Sequence, residues 1–185
     1  MLVFIDFEAS SLGKKGFPIE VAWVFEDGHG ESHLIRPAPG WTEWDPAAEA
    51  VHGIPREKLF AQGRPPDMIA RHMVEVLGGH DLYASAPTWD GKWLSALLRA
   101  GGMPRHALRL RDTELARRAA VLDRLSPTLG GVELEEAIRR ILSEVGQAHD
   151  RHAATHRALD DAEQERQEWL LACSLADATL ARLAA

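Results

Sequence analysis

The chain has 185 residues, of which 45% are hydrophobic and 26% charged, a composition that excludes a disordered or fibrous protein and predicts one globular domain over residues 1–185. Its single cysteine, Cys173, excludes an intramolecular disulfide and a thiolate zinc cage, so we expect any metal to have oxygen ligands. The formal net charge of -7 excludes a protein that coats nucleic acid through a broad basic surface, but not one that grips a short strand locally.

The first third of the chain is predicted to form an antiparallel meander. Residues 2–6 (LVFID) are an apolar run that ends on a carboxylate, as in a buried strand that delivers a polar residue at its end. Strands at 19–25 and 32–36 follow, joined by the turn Glu26-Asp27-Gly28-His29-Gly30.

Helices and strands alternate in the remainder of the chain. The pattern predicts short or amphipathic helices at 55–60, 68–77, 89–100 and 133–144, a helix from near Thr113, strands at 81–86 and 108–112, and a final helix that a His-rich stretch opens and that runs to about Leu183. A meander followed by this alternation predicts an α/β domain with a mixed sheet and helices on its faces.

Two carboxylates stand at the end of the first strand. Residues two apart in a strand project to the same face, so Asp6 and Glu8 point one way and Phe7 points into the opposite layer. Two adjacent anions repel each other unless a cation neutralises them, which favours a divalent-metal site. The alternative is a solvated strand end.

Two further carboxylates occupy helix starts. Asp90 lies between the 81–86 strand and the next helix, where α/β proteins place ligands, or it is a first-turn acid favoured by the helix dipole. His156 and Asp161 are five residues apart. If the last helix begins near Leu159, His156 lies on the preceding loop and Asp161 in the first turn, although Asp160 and Asp161 would also suit a helix start alone.

In this order the motifs resemble the DEDDh family of 3′–5′ exonucleases, which includes proofreading exonucleases, RNase T and oligoribonuclease. The resemblance runs from Asp6 to about Ala172, and residues 51–54 (VHGI) match a His-Gly-Ile segment of the family. A related branch has Tyr four residues before the last Asp, where this chain has Arg157. The resemblance therefore implies the His-type branch and a ribonuclease H-like fold, with a five-stranded mixed sheet, antiparallel then parallel, flanked by helices.

The resemblance implies a two-metal active site. Two Mg²⁺ or Mn²⁺ ions would be held by Asp6, Glu8, Asp90 and Asp161, and His156 would accept the proton of the attacking water. The ions would also supply the positive charge that an acidic protein lacks. The expected reaction is release of nucleoside 5′-monophosphates from the 3′ end of single-stranded RNA or DNA.

Six residues are candidates for substrate contact. By resemblance these include Ala9, Ser10, Leu12 and His52, with an apolar side chain against the terminal base. Trp89 and Trp93 lie one helical turn apart and would offer bases a stacking surface, although packing in the core is the preferred interpretation of Trp89. The family often has Asn four residues before the middle Asp; here that residue is Ala86, which removes one contact near the metals.

Other residues have weaker claims. Arg117 and Arg118 are interpreted as a solvated helix face rather than a substrate contact across a homodimer, which many relatives form. His149 and His152 are expected on a loop or helix surface, and Cys173 inside the last helix. The sequence has no membrane-length apolar run and no secretory signal at 1–5, which predicts a soluble, cytoplasmic protein.

Two other functions stay open. A catalytically silent module of the same fold would bind nucleic acid or a partner, although the intact carboxylate set with His156 speaks against it. A metal-dependent phosphatase or nucleotidase would use the same carboxylates on small esters. No motif reports contacts to the 2′-hydroxyl, so RNA and DNA are equally open as substrates.

Overall fold

The computed structural model describes residues 1–149 and 155–184, which form a five-stranded mixed sheet with helices on both faces. In chain order the strands are β1 (Leu2–Ala9), β2 (Pro18–Phe25), β3 (Gly30–Leu34), β4 (Asp81–Ala84) and β5 (Leu110–Asp112). The spatial order is β3-β2-β1-β4-β5, in which the β1 pairing with β2 and the β2 pairing with β3 are antiparallel and the other two pairings are parallel. The predicted ribonuclease H-like architecture is confirmed.

The described residues contain seven helices, several of them longer than predicted. They are α1 (Pro46–His52), α2 (Arg56–Gln62), α3 (Pro66–Leu77), α4 (Pro87–Ala100), α5 (Thr113–Leu125), α6 (Gly131–His149) and α7 (Ala158–Leu183). The sequence reading missed α1, which has only seven residues. Asp45 caps α1 by accepting a hydrogen bond from the Ala47 backbone N–H at 2.9 Å.

The two faces of the sheet bury different helices. Alternating residues of β1 and β2, such as Ile5, Phe7 and Trp23, pack with α3 and α4 in the largest apolar cluster. On the other face Phe4 contacts Trp169 of α7, and α7 packs across β1 and β2 and against α5 and α6. This arrangement brings the starts of α4 and α7 close to the C-terminal end of the central strand β1.

Among the described residues, no helix has the length and apolar character needed to cross a bilayer. Cys173 is buried in α7, as expected. His149 is the last residue of α6 rather than part of the stretch that opens the final helix, and His152 lies outside the described residues.

Candidate active site

The end of β1 presents two carboxylates to one face, as the sequence predicts. Asp6 and Glu8 pair with Ala22 and Glu20 of β2, whereas Phe7 between them lies in the core of the opposite face. The register shifts between Glu8 and Ala9, so the strand is irregular directly after the second carboxylate. Such irregularities re-aim side chains next to functional sites.

The remaining two carboxylates come from the starts of two helices. Asp161 lies in the first turn of α7, and its carboxylate oxygen is within 4.8 Å of those of Asp6 and Glu8. Asp90 lies in the first turn of α4, is only 3% exposed, and accepts a hydrogen bond from the Ala86 N–H at 3.3 Å. The four residues, hereafter the carboxylate centre, thus come together from three separate parts of the chain.

Burial and repulsion make the carboxylate centre reluctant to ionise. The pKa of Asp6 is raised well above its ordinary value, first by burial and then by the charges of Asp90, Glu8 and Asp161. Burial, followed by the charge of Asp161, raises the pKa of Glu8 to about 7. Burial also raises the pKa of Asp90 to about 7, against the hydrogen bond from Ala86. Four oxygen-donor groups brought together in this way fit hard divalent ions such as Mg²⁺ or Mn²⁺.

A cavity of about 500 Å³ opens beside the carboxylate centre. Asp6, Glu8 and Asp90 lie on its wall. Five of the six predicted substrate residues also line it: Ala9, Leu12, His52, Trp89 and Trp93. Leu12 is 68% exposed, which leaves an apolar side chain free at the opening. The volume falls in the range of small-molecule binding sites.

Ser10 does not line this cavity. Its side chain is fully buried, its Oγ accepts a hydrogen bond from the Phe17 N–H at 3.1 Å, and its own N–H donates to the Phe17 carbonyl at 2.9 Å. Ser10 therefore fastens the loop after β1. Ser11, which sequence reasoning passed over, lines the cavity and bonds through Oγ to Glu43.

His52 faces the cavity with an unused hydrogen-bonding atom. Its Nδ1 accepts from the Ile54 N–H at 3.0 Å, which places the imidazole hydrogen on Nε2 of the neutral ring. The residue is 4% exposed, its Nε2 has no hydrogen-bond partner among the residues that the structure describes, and burial lowers its pKa. A neutral, buried donor of this kind suits an acceptor oxygen on a ligand.

The two tryptophans of α4 differ in exposure. Trp89 is 40% exposed, contrary to the packing interpretation, whereas Trp93 is buried in the core. Both residues border the cavity, and their rings stack with centroids 6.0 Å apart. Lys92 places its Nζ 4.0 Å from the Trp93 ring centre and donates to the Gly13 carbonyl at 2.7 Å. Lys92 therefore ties the loop after β1 to the aromatic pair, a contact between residues 79 apart in sequence.

Glu20 holds the start of α7 in place. This fully buried carboxylate on β2 accepts from Arg157 Nε at 3.1 Å, from Arg157 Nη2 at 2.6 Å and from the Ala158 N–H at 3.2 Å. A bidentate pair fixes both angle and position. The only sequence sign of this role is a charged residue within the otherwise apolar strand PIEVAWVF.

His156 stands directly before this anchored arginine. As predicted, it precedes α7 on a loop, where its backbone adopts the left-handed conformation at φ 52°. Its side chain is exposed, and the described residues that line the cavity do not include it. The neighbouring Thr155 hydroxyl bonds to Asp161 at 3.3 Å, which joins the loop to the carboxylate centre.

A second set of acids lies behind the centre, and it corrects the view of Arg117 as solvated. Arg117 is mostly buried and donates to Glu165 at 3.3 Å and to Glu168. His149 Nδ1 lies 2.6 Å from the Glu168 carboxylate. These four residues are hereafter the paired cluster. Arg118 is exposed as expected and pairs with Glu135.

Neither a family model nor a curated protein matches this sequence. Solved structures do match. E. coli Exonuclease I in complex with a dA16 oligonucleotide aligns with a TM-score of 0.64 and 15% identity over 95% of this chain and 42% of that chain. An apo Exonuclease I aligns with a TM-score of 0.65 and 14% identity, over 97% of this chain and 44% of that chain. A zinc-bound E. coli ExoI–ssDNA complex aligns with a TM-score of 0.65 and 15% identity, over 97% of this chain and 42% of that chain. The likeness shows the exonuclease fold, and the chain spans less than half the length of these structures.

Proposed function

We propose that this protein is a metal-dependent 3′–5′ exonuclease that releases nucleoside 5′-monophosphates from single-stranded nucleic acid. The observation that carries the proposal is the carboxylate centre, in which Asp6, Glu8, Asp90 and Asp161 converge beside one cavity. The raised pKa values of Asp6, Glu8 and Asp90 support a role as metal ligands, because structural acids at this depth are normally paired with bases. The shared fold with Exonuclease I is consistent with this reading.

The carboxylate centre would hold two Mg²⁺ or Mn²⁺ ions. When bound, such ions acidify an attacking water and stabilise the departing oxygen of an in-line displacement. Asp6 and Glu8 come from a rigid strand, and Asp90 and Asp161 from the first turns of two packed helices. Ligands on rigid elements keep their geometry during turnover.

His156 would serve as the general base. Its place on a loop lets it approach the attacking water when substrate is present. Glu20 acts as a positioning residue, because its bidentate bond to Arg157 fixes the backbone on the C-terminal side of His156. The Thr155 bond to Asp161 fixes the other side.

The substrate end would occupy the cavity beside these groups. His52 Nε2 would donate to an oxygen of the terminal nucleotide, because no acceptor among residues 1–149 and 155–184 bonds to it. Leu12 would contact the terminal base, and the exposed ring of Trp89 would stack on a base. Stacking and metal contacts do not require a basic surface, which reconciles the proposal with a net charge of -7.

The test is a 3′-end degradation assay. Single-stranded RNA and DNA of equal length, labelled at the 5′ end, are incubated with wild type, Asp6→Ala or Asp123→Asn, in Mg²⁺, Mn²⁺ or EDTA. Asp123 is an exposed acid of α5 and serves as the matched control. We expect a ladder that shortens from the 3′ end, lost in EDTA and in Asp6→Ala but not in Asp123→Asn. The preferred polymer identifies the sugar specificity.

Absence of cleavage of both polymers under every metal would refute the exonuclease. Hydrolysis of p-nitrophenyl phosphate by the same preparation would then favour a phosphatase. Binding of the oligonucleotides without hydrolysis of any substrate would favour a silent module of this fold.

A further inference from the structure

Two histidines and a glutamate meet at the edge of the sheet that is remote from β4 and β5. Glu31 and His33 belong to the edge strand β3, and His72 belongs to α3. The Glu31 Oε2 lies 3.1 Å from His33 Nε2 and 2.7 Å from His72 Nε2. Two imidazole nitrogens from different elements thus converge on one carboxylate oxygen, and all three ligand atoms lie within 4.8 Å of one another.

This cluster lies on the opposite face of the sheet from the carboxylate centre. Glu31 pairs with Trp23 and His33 with Val21, both of which belong to the core beneath α3 and α4. Asp6 and Glu8 pair instead with Ala22 and Glu20, which alternate with those residues along β2. A ligand at one cluster would therefore not occupy the other.

The local packing orients both imidazoles. The ring centroids of His33 and His72 lie 5.1 and 5.8 Å from that of Trp23. The two imidazoles pack edge to face, with their centroids 5.7 Å apart. Rings supported in this way lose little further freedom when their Nε2 atoms bind a common ligand. Glu31 and His72 are partly exposed, which leaves a path to solvent.

We propose that Glu31, His33 and His72 form a second metal site, selective for a Zn²⁺-class transition ion and distinct from the carboxylate centre. Two imidazoles and one carboxylate match Zn²⁺ sites with three protein ligands, in which the fourth position holds water. Tetrahedral ligands at about 2.0–2.1 Å from zinc stand about 3.3 Å apart, close to the present spacing around the Glu31 oxygen. The bound ion would fasten the edge strand β3 to α3.

Arg64 modulates this site. Its Nη1 lies 3.2 Å from His33 Nδ1, and as a guanidinium it can only donate, so it holds the His33 hydrogen on Nε2. Zinc ligation through Nε2 would move that hydrogen to Nδ1, so Arg64 must turn away. Its side chain is exposed and free to do so. Removal of this cation should strengthen zinc binding.

The test is calorimetric titration with Zn²⁺ alone, in the Asp6→Ala background that disables the carboxylate centre. We expect about one equivalent bound, and an affinity at least about 100-fold weaker in His33→Gln and His72→Gln, since loss of an outer-shell partner alone often weakens binding by 10–100-fold. His29→Gln is the matched control, because His29 also pairs with an acid, Asp27, but is exposed and does not belong to the Glu31, His33 and His72 cluster. It should bind as the parent does.

Two further measurements keep the result interpretable. Circular dichroism establishes that each variant is folded, and Zn²⁺ should raise the melting temperature of the parent but not of His72→Gln. Arg64→Gln should bind Zn²⁺ several-fold more tightly, whereas Arg71→Gln, an exposed arginine of α3 paired with Asp67, should not change. Absence of zinc binding, or binding that survives both histidine substitutions, would overturn the proposal. Unchanged or weaker binding by Arg64→Gln would count against it.

Discussion

Two groups of acids adjoin each other along α7, where Asp161 of the carboxylate centre and Glu165 of the paired cluster are four residues apart, and the two groups differ in their basic partners. In the paired cluster, Arg117 donates to both Glu165 and Glu168, and His149 adds a further contact to Glu168. Within residues 1–149 and 155–184, the base that acts on the carboxylate centre is Arg157, at Glu8, and that arginine is already held by Glu20. The comparison teaches that neighbouring acids can differ in their counter-charge, and under the proposed function the group with little counter-charge is the one that would bind metal.

The largest expected effect concerns removal of the counter-charge from the paired cluster. Arg117→Met would leave Glu165 and Glu168 buried without their main cation, so we expect the free energy of unfolding to fall by about 3–5 kcal/mol. Urea denaturation of the metal-free protein measures the change. Arg118→Met is the control, because the exposed Arg118–Glu135 pair should contribute less than about 1 kcal/mol. Equal effects of the two variants would remove the distinction between the clusters.

Removal of a charge from the carboxylate centre is expected to stabilise the metal-free protein rather than destabilise it. Asp90→Asn keeps an oxygen acceptor for the Ala86 N–H but removes a buried charge, so it should stabilise the metal-free protein by about 2 kcal/mol at pH 8. For a chain of this length that corresponds to a melting temperature about 4–8 °C higher. The same variant should lose most of the stabilisation that Mn²⁺ gives to wild type. Destabilisation by Asp90→Asn without metal would show that the charge is already compensated.

Stability should also depend on pH in a way that metal reverses. The folded pKa values of Glu8 and Asp90, about 7, exceed their ordinary values of 4.5 and 3.8. Between these limits the folded protein binds more protons than the unfolded chain, so metal-free stability falls as the pH rises from about 4 to 7. Mn²⁺ requires ionised carboxylates and should therefore raise the melting temperature more at pH 8 than at pH 5. An equal shift at both pH values would argue that the ion binds elsewhere.

The smallest effect is expected at the cavity wall, where the proposed function requires contacts to substrate but no metal ligand. Trp89→Ala should raise KM for a single-stranded oligonucleotide by a factor of about 5–100, equivalent to about 1–3 kcal/mol of stacking, and leave kcat within about twofold. Steady-state kinetics separate the two parameters. Leu115→Ala, an exposed apolar residue of α5, is the control. A fall in kcat without a change in KM would contradict a stacking role.

Short-range patterns were enough to predict the strands and the placement of the carboxylates. Alternation along β1 placed Asp6 and Glu8 on one face, and helix-start chemistry placed Asp161 in the first turn of α7. Long-range partners could not be read in this way. Glu20 is visible as a charge in an apolar strand, but its partner Arg157 lies 137 residues away. Only the folded chain brings them together.

Residues of the same type on one helix were the hardest to separate. Trp89 and Trp93 lie one turn apart on α4 and both line the cavity, yet Trp89 is 40% exposed whereas Trp93 is buried. Arg117 and Arg118 are adjacent, and the position of α7 alone decides which of them is buried. Helical periodicity predicts which residues share a face of a helix, but it does not predict which other elements pack against that face.

The most direct test of the central claim compares two adjacent acids at the start of α7. Mononucleotide release from a single-stranded oligonucleotide in Mg²⁺ is measured for wild type, Asp161→Asn and Asp160→Asn. Asp161 belongs to the carboxylate centre, whereas Asp160 is exposed. The account predicts a loss of about a thousandfold or more for Asp161→Asn, equivalent to about 4 kcal/mol, and a change within about twofold for Asp160→Asn. Comparable activity of the two variants would contradict the assignment of the carboxylate centre as the catalytic site.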